Sequence, residues 1–172
     1  MSAVPESLEL SAYSPMWPAI FGIEHGRLGA IFGADAVVIE HIGSTAVPGL
    51  GAKPIIDVMV GVPAISVVER KIAELEADGY RYVQEFEKSM PERRYFVKAH
   101  GHPGYFHLQA VIYASAFWKR HLAFRDALRA DDALAGEDWK LKRRLAARFP
   151  DDRGTYTDAK SEFIRTVIEG IR

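Results

Sequence analysis

Residues 37–60 read VVIEHIGSTAVPGLGAKPIIDVMV, and this stretch decides the fold. Val37 to Ile42 is rich in β-branched side chains, the composition of a strand. Pro54 to Val60 is a second run, apolar except for Asp57, as expected of a strand buried on both faces. Between them lie Gly43, Ser44 and Thr45, then Val47-Pro48-Gly49-Leu50. That tetrapeptide suits a type II turn, because Pro presets φ at its second position and Gly accepts φ > 0 at its third. A small-residue turn after a strand lets a phosphate reach backbone N–H groups. The hydroxyls of Ser44 and Thr45 are further donors, and Lys53 supplies a nearby positive charge. Glycine and serine also make plain connections between strands, and no Gly-Lys-Ser/Thr follows at P-loop spacing.

Outward from this stretch, Ser14-Pro15 is a helix start, with Ser as cap and Pro in the first turn. Trp17, Ile20, Phe21, Leu28, Ile31 and Phe32 form an amphipathic stripe that Gly33 ends. Glu24 and His25 read as surface positions of that helix, and residues 1–13 as an extended lead-in. Ala64 to Ala77 is helical, closed by Asp78-Gly79. Tyr80 to Phe86, Arg93 to Ala99 and Tyr105 to Tyr113 read as strands of an antiparallel meander. Three helices follow, over 115–129, 138–149 and 158–171. The order predicts an α+β fold, one mixed β-sheet packed with helices and a C-terminal helical segment, in a single domain over 1–172.

With 172 residues and 48% hydrophobic content, the chain can bury a real core. A net charge of -1 gives no global pull toward nucleic acid or an anionic membrane. Acidic side chains outnumber basic ones over 1–59 and the reverse holds over 115–172, which favours an anionic ligand only locally. There is no cysteine, so thiol chemistry and Cys-ligated zinc are excluded. The absence of a membrane-length apolar run and of a basic, apolar leader gives a cytoplasmic expectation.

The block His41-Ile42-Gly43-Ser44-Thr45-Ala46-Val47-Pro48-Gly49-Leu50, followed by Lys53-Pro54-Ile55-Ile56-Asp57, resembles the signature of the GrpB family, also called UPF0157. The resemblance extends through Arg93-Arg94-Tyr95-Phe96, Lys98, His107-Leu108, Trp118, Phe124-Arg125-Asp126, Leu141-Lys142, Tyr156 and Lys160, covering residues 15–168. It implies a nucleotidyltransferase-like fold, in which a Gly-Ser turn grips phosphates and alternate carboxylates hold divalent metal. Its association with dephospho-CoA kinase points to nucleotide or coenzyme A chemistry. Asp57 matches the first carboxylate. Side chains two apart on a strand share a face, so Met59 stands where the second acid would be, and a thioether is a poor magnesium ligand. The later strand offers His107 and Gln109 instead of an acid.

The expected site is therefore Asp57 and His107 as catalytic groups, with Gly43, Ser44, Thr45, Lys53, Arg94 and Arg125 holding phosphate. Asp57 is the candidate ligand for Mg2+. Lys142 and Lys160 read as solvated. His41 either orients the turn through a hydrogen bond or is a half-buried strand histidine. The expected partner is a phosphate-bearing small molecule, a nucleotide, with nucleotidyl transfer as the reaction. One alternative is a non-catalytic nucleotide-sensing or accessory domain. Another is a phosphate-ester hydrolase using His107, and a zinc site at His100, His102 and His107 is a further possibility.

Overall fold

The computed structural model describes residues 9–101, 104–150 and 152–171. Its elements run α1 (Met16–Phe32), β1 (Val38–Ile42), β2 (Ile55–Val62), α2 (Ile65–Ala77), β3 (Arg81–Tyr82), β4 (Arg93–Gly101) and β5 (Gly104–Ile112). Then come α3 (Ala116–Ala130), α4 (Asp132–Arg148) and α5 (Arg153–Gly170). The sheet order is β1-β2-β5-β4-β3. β2 and β5 pair in parallel, and the other pairs are antiparallel. The expected α+β layout and the meander are both present.

Alternation along β2 sorts the structure into two faces. Ile56, Val58 and Val60 meet Trp17, Leu28 and Phe32 of α1 and Val68 and Leu75 of α2. On the other face Met59 and Ile42 pack beneath Phe117 and Trp118 of α3. The turn after β1 is drawn into a further apolar cluster, where Val47 and Leu50 meet Phe124 and Leu128. The helical segment thus packs directly on the loop that opened the sequence reading.

Several boundaries differ from the sequence expectation. β3 is only two residues long, and the chain then tightens into a 3₁₀ turn at Gln84–Phe86. α4 begins at Asp132, where the Asp131 side chain accepts from the N–H groups of Ala133 and Leu134. α5 begins at Arg153, with the Asp152 side chain accepting from Thr155 N–H. The lead-in over residues 1–8 and His102 lie outside the described residues, as does the side chain of His100. The zinc alternative therefore rests partly on undescribed positions.

Glu24 corrects the sequence reading more deeply. It is 1% exposed rather than on the surface. It lies on the same helical stripe as Trp17 and Leu28, so its carboxylate enters the core. Desolvation requires partners there: Oε1 accepts from Tyr80 OH at 2.8 Å and from Lys98 Nζ at 2.6 Å. Lys98 also reaches Asp78 Oδ2 at 2.6 Å. This network ties α1, the end of α2 and β4 together.

Candidate functional site

Gly43 follows β1 with φ 72 and ψ -173, a conformation open to glycine and costly to other residues. Ser44–Ala46 then form one 3₁₀ turn, and Gly49 has φ 79 with Leu50 N–H bonded to Val47 O at 3.2 Å. The type II turn is thus formed as expected. Two arginines of α3 fix the two ends of the segment. Arg125 Nη1 donates to His41 O at 3.0 Å, and Arg129 Nε donates to Ala46 O at 2.9 Å.

Thr45 is spent on this architecture. Its single hydroxyl proton goes to Ile55 O at 2.9 Å, so its oxygen accepts from His41 Nε2 at 3.0 Å. His41 is then the neutral Nε2–H tautomer. Burial, with Arg129 and Arg125 nearby, pushes its pKa down to about 4, and its ring stacks on Phe21. His41 therefore orients the turn through a hydrogen bond. The Thr45 hydroxyl proton is therefore committed to the fold, while the residue lines the cleft beside Ser44.

Ser44 is different. Its hydroxyl oxygen accepts from Lys142 Nζ at 2.6 Å. Lys142 is 2% exposed and not solvated, and it is ion-paired with the fully buried Asp138 one helical turn earlier. Burial, and next the charge of Lys160, pushes its pKa down to about 8. Sequence reasoning missed this pair because an acid and a lysine four apart on a helix ordinarily read as a surface bridge. The usable signal was its place on the stripe shared with Leu145.

A cleft of about 130 Å³ is lined by Gly43, Ser44, Lys53 and Asp57 together with Tyr156 and Lys160 of α5, among others. Lys53 Nζ lies 4.8 Å from the Tyr156 ring centre. A second cavity of about 260 Å³ shares Lys53, Tyr156 and Lys160 and adds Thr157, Ser161 and Ile164. Asp57 sits beneath the turn, its side chain 25% exposed, with Oδ1 3.5 Å from His107 Nδ1. His107 is Asp57's register partner on the parallel neighbour β5.

Arg94 and Arg125 do not join the cleft. Arg94 points to the opposite face, where it pairs with Glu69 at 2.7 Å and approaches Glu87 at 3.7 Å. Arg125 pairs with Glu40 and Asp126 and acts on the turn from behind. Glu40 is level with Met59 on the Asp57 face, but Arg125 holds its carboxylate at 2.6 Å. Among the described residues no three His, Asp or Glu side chains are grouped to hold a metal. This donor set does not fit two protein-held metal ions, because Asp57 contributes one carboxylate to a cleft lined by Lys53 and Lys160, with the Lys142 ammonium bonded to Ser44 at its edge.

Burial pushes the Asp57 pKa up to about 7, against the opposing charges of Lys160 and Lys142. The unfolded chain therefore releases this proton before the folded chain does. Its contribution to stability falls as pH rises from about 4 through about 7, by on the order of 1–3 kcal/mol. Asp57→Asn is expected to flatten that part of the Tm–pH curve and to be the more stable protein at pH 8. Equal slopes for the two proteins would refute the shift.

The family model described as GrpB protein matches residues 7–170. UPF0157 protein YqkA of Bacillus subtilis is 36% identical over 96% of this chain, which spans only 47% of YqkA. The crystal structure of conserved protein GrpB from Enterococcus faecalis superposes with TM-score 0.82 at 34% identity, covering 95% of this chain and 99% of that one. The Cid1 poly(U) polymerase, solved with Mg and 3′-dATP, superposes with TM-score 0.56 at 14% identity, over 80% of this chain and 43% of that one. That likeness shows a nucleotidyltransferase-like fold. Among the described residues no helix is long and apolar enough to cross a membrane.

Proposed function

We propose that the chain, which belongs to the GrpB family, binds a nucleotide in the cleft at Gly43. The observation that carries this reading is the buried Lys142 ammonium held on the Ser44 hydroxyl at 2.6 Å, in a turn fixed at both ends. A phosphate entering there meets Ser44 and the turn's backbone on one side. Lys53 and Lys160 line the same cleft. Charge-assisted hydrogen bonds of this kind are the strong ones. The adjoining cavity, with the Tyr156 ring and Ile164, has room for the rest of a nucleotide. The nucleotidyltransferase-like fold supports the same ligand class.

Nucleotidyl transfer is the reaction this arrangement would serve. Asp57 and His107, 3.5 Å apart, are the groups placed to take a proton from an attacking hydroxyl. Asp57 would also give one carboxylate to a magnesium whose other ligands are phosphate and water. Met59, level with Gln109 and Glu40, favours a second reading: an accessory domain that senses nucleotide without turning it over.

Calorimetric titration with ADP and ATP, with magnesium or with chelator, tests the binding. Saturable binding is expected, weakened about tenfold by Lys160→Met for the loss of one charged contact. No binding of either nucleotide would sink the proposal. Attachment of the nucleotidyl group to an acceptor hydroxyl with release of pyrophosphate, abolished by Asp57→Ala, establishes the transferase; transfer to water alone makes the chain a hydrolase. Binding without turnover establishes the sensing domain.

A further inference from the structure

The sequence points to Arg94 as a phosphate contact, and Arg94 lies on the wrong face. Arg93 lies on the right one. It is level with Val111, and Tyr95 is level with Gln109. Gln109 is level with Met59, and His107 with Asp57. Since side chains two apart share a face, Arg93, Tyr95, Gln109, His107 and Asp57 all rise from one side of the sheet.

Arg93 also differs from the other arginines near the site in what neutralises it. Arg94 has Glu69 and Glu87, and Arg125 has Glu40 and Asp126. Among the described residues Arg93 has no ion-pair partner. Glu92, its neighbour in the chain, exerts a field on it without pairing. Nη1 of Arg93 donates to Gln109 Oε1 at 2.8 Å, while Nε is sealed from solvent with no acceptor. Three rings surround the guanidinium: Tyr95 at 5.2 Å, Phe86 at 5.5 Å and Phe117 at 5.6 Å. Ring faces offset part of the cost of burying a cation, but an amide oxygen and rings do not replace a counter-charge. Arg93 is itself only partly buried, and Phe86 of the cage is 45% exposed, so the group is within reach of solvent.

We propose that Arg93 and Gln109, flanked by Phe86 and Tyr95, form a second ligand subsite on the Asp57 face that takes the oxyanion of an organic acid or phosphate ester. The planar guanidinium matches either group in bidentate fashion. The Tyr95 ring that flanks the guanidinium also packs edge-on against the His107 ring, with centroids 5.5 Å apart, so the subsite adjoins His107 through Tyr95. The subsite stands whether or not a nucleotide fills the lysine cleft.

The test is a thermal-shift series with sodium acetate and sodium phosphate against sodium chloride at matched ionic strength. The wild type, Arg93→Met and Lys160→Met proteins are compared. At ten times the Kd of an anion, the wild type is expected to gain about 3–5 °C in Tm. That gain should persist in Lys160→Met and vanish in Arg93→Met. Without added oxyanion, Arg93→Met should match or exceed the wild-type Tm, because it removes an unneutralised charge. A gain lost only in Lys160→Met assigns the anion to the lysine cleft and overturns the subsite. So does a marked loss of Tm in Arg93→Met in chloride alone, which makes Arg93 structural, and so does the absence of any gain in the wild type. Acetate acting alone identifies a carboxylate ligand, and phosphate acting alone a phosphate ester; each supports the subsite.

Discussion

Gly43→Ala is expected to lower Tm by about 6–12 °C and to abolish nucleotide binding, from a stability loss of about 3 kcal/mol. Two costs combine. The first is the backbone, since φ 72 with ψ -173 is a region that side chains other than glycine rarely enter. The second is space. A Cβ at this position would lie 2.5 Å from Asp57 Oδ2 and 3.2 Å from Asp57 Cβ, so the carboxylate would have to leave its place. The costs are separable. In an Asp57→Ala background the same substitution keeps the backbone penalty and the Cβ contact but loses the collision with the carboxylate, so the two changes should be less than additive. Thermal unfolding of the four proteins measures this. A Gly43→Ala protein within about 2 °C of wild type would show that the turn relaxes freely.

Lys142→Met is the second large effect. Asp138 is 0% exposed and its ion-pair partner is Lys142. Removing the ammonium leaves a carboxylate in the core without a counter-charge, at a cost of about 3–5 kcal/mol. Lys142→Met/Asp138→Leu should recover most of that stability while nucleotide affinity stays lost. Recovery of both would make Lys142 purely structural. Acid–base behaviour gives an independent check. The folded-state pKa of Lys142 is pushed down to about 8 from 10.5. The grip should therefore lose its charge, and nucleotide affinity should fall, as pH rises through about 8. Stability moves the other way between these two values, because the unfolded chain then holds more protons than the folded one. Calorimetric titration across pH 7–9.5 with denaturation at the same pH values would read both trends.

Local signals carried most of the architecture. The composition of β1 and β2, the Pro48-Gly49 turn and the stripe from Trp17 to Phe32 depend on neighbours in the chain, and each formed where expected, whereas β3 is cut to two residues. The errors share one cause. Glu24 sits on an inward stripe, yet it was read by its charge, because Tyr80 and Lys98 arrive from distant elements. Lys142 likewise reads as solvated by its charge, yet it is buried. Thr45 looked like a phosphate donor until His41 and the Ile55 carbonyl claimed its hydroxyl. Arg93 and Arg94 alternate along β4, and only the placement of α2, with Glu69, shows which is neutralised. Residue type gave the chemistry available, and tertiary partners decided which groups were already committed.

The Ser44–Lys142 bond spans 98 positions of the chain. A contact of that separation is strongly non-local, so on folding it should form after the local turns and helices. The grip is then among the last features assembled and among the first lost in partial unfolding. Native-state hydrogen exchange should show α4 and α5 opening at lower free energy than β2 and β5, and a bound nucleotide should raise the protection of those two helices most.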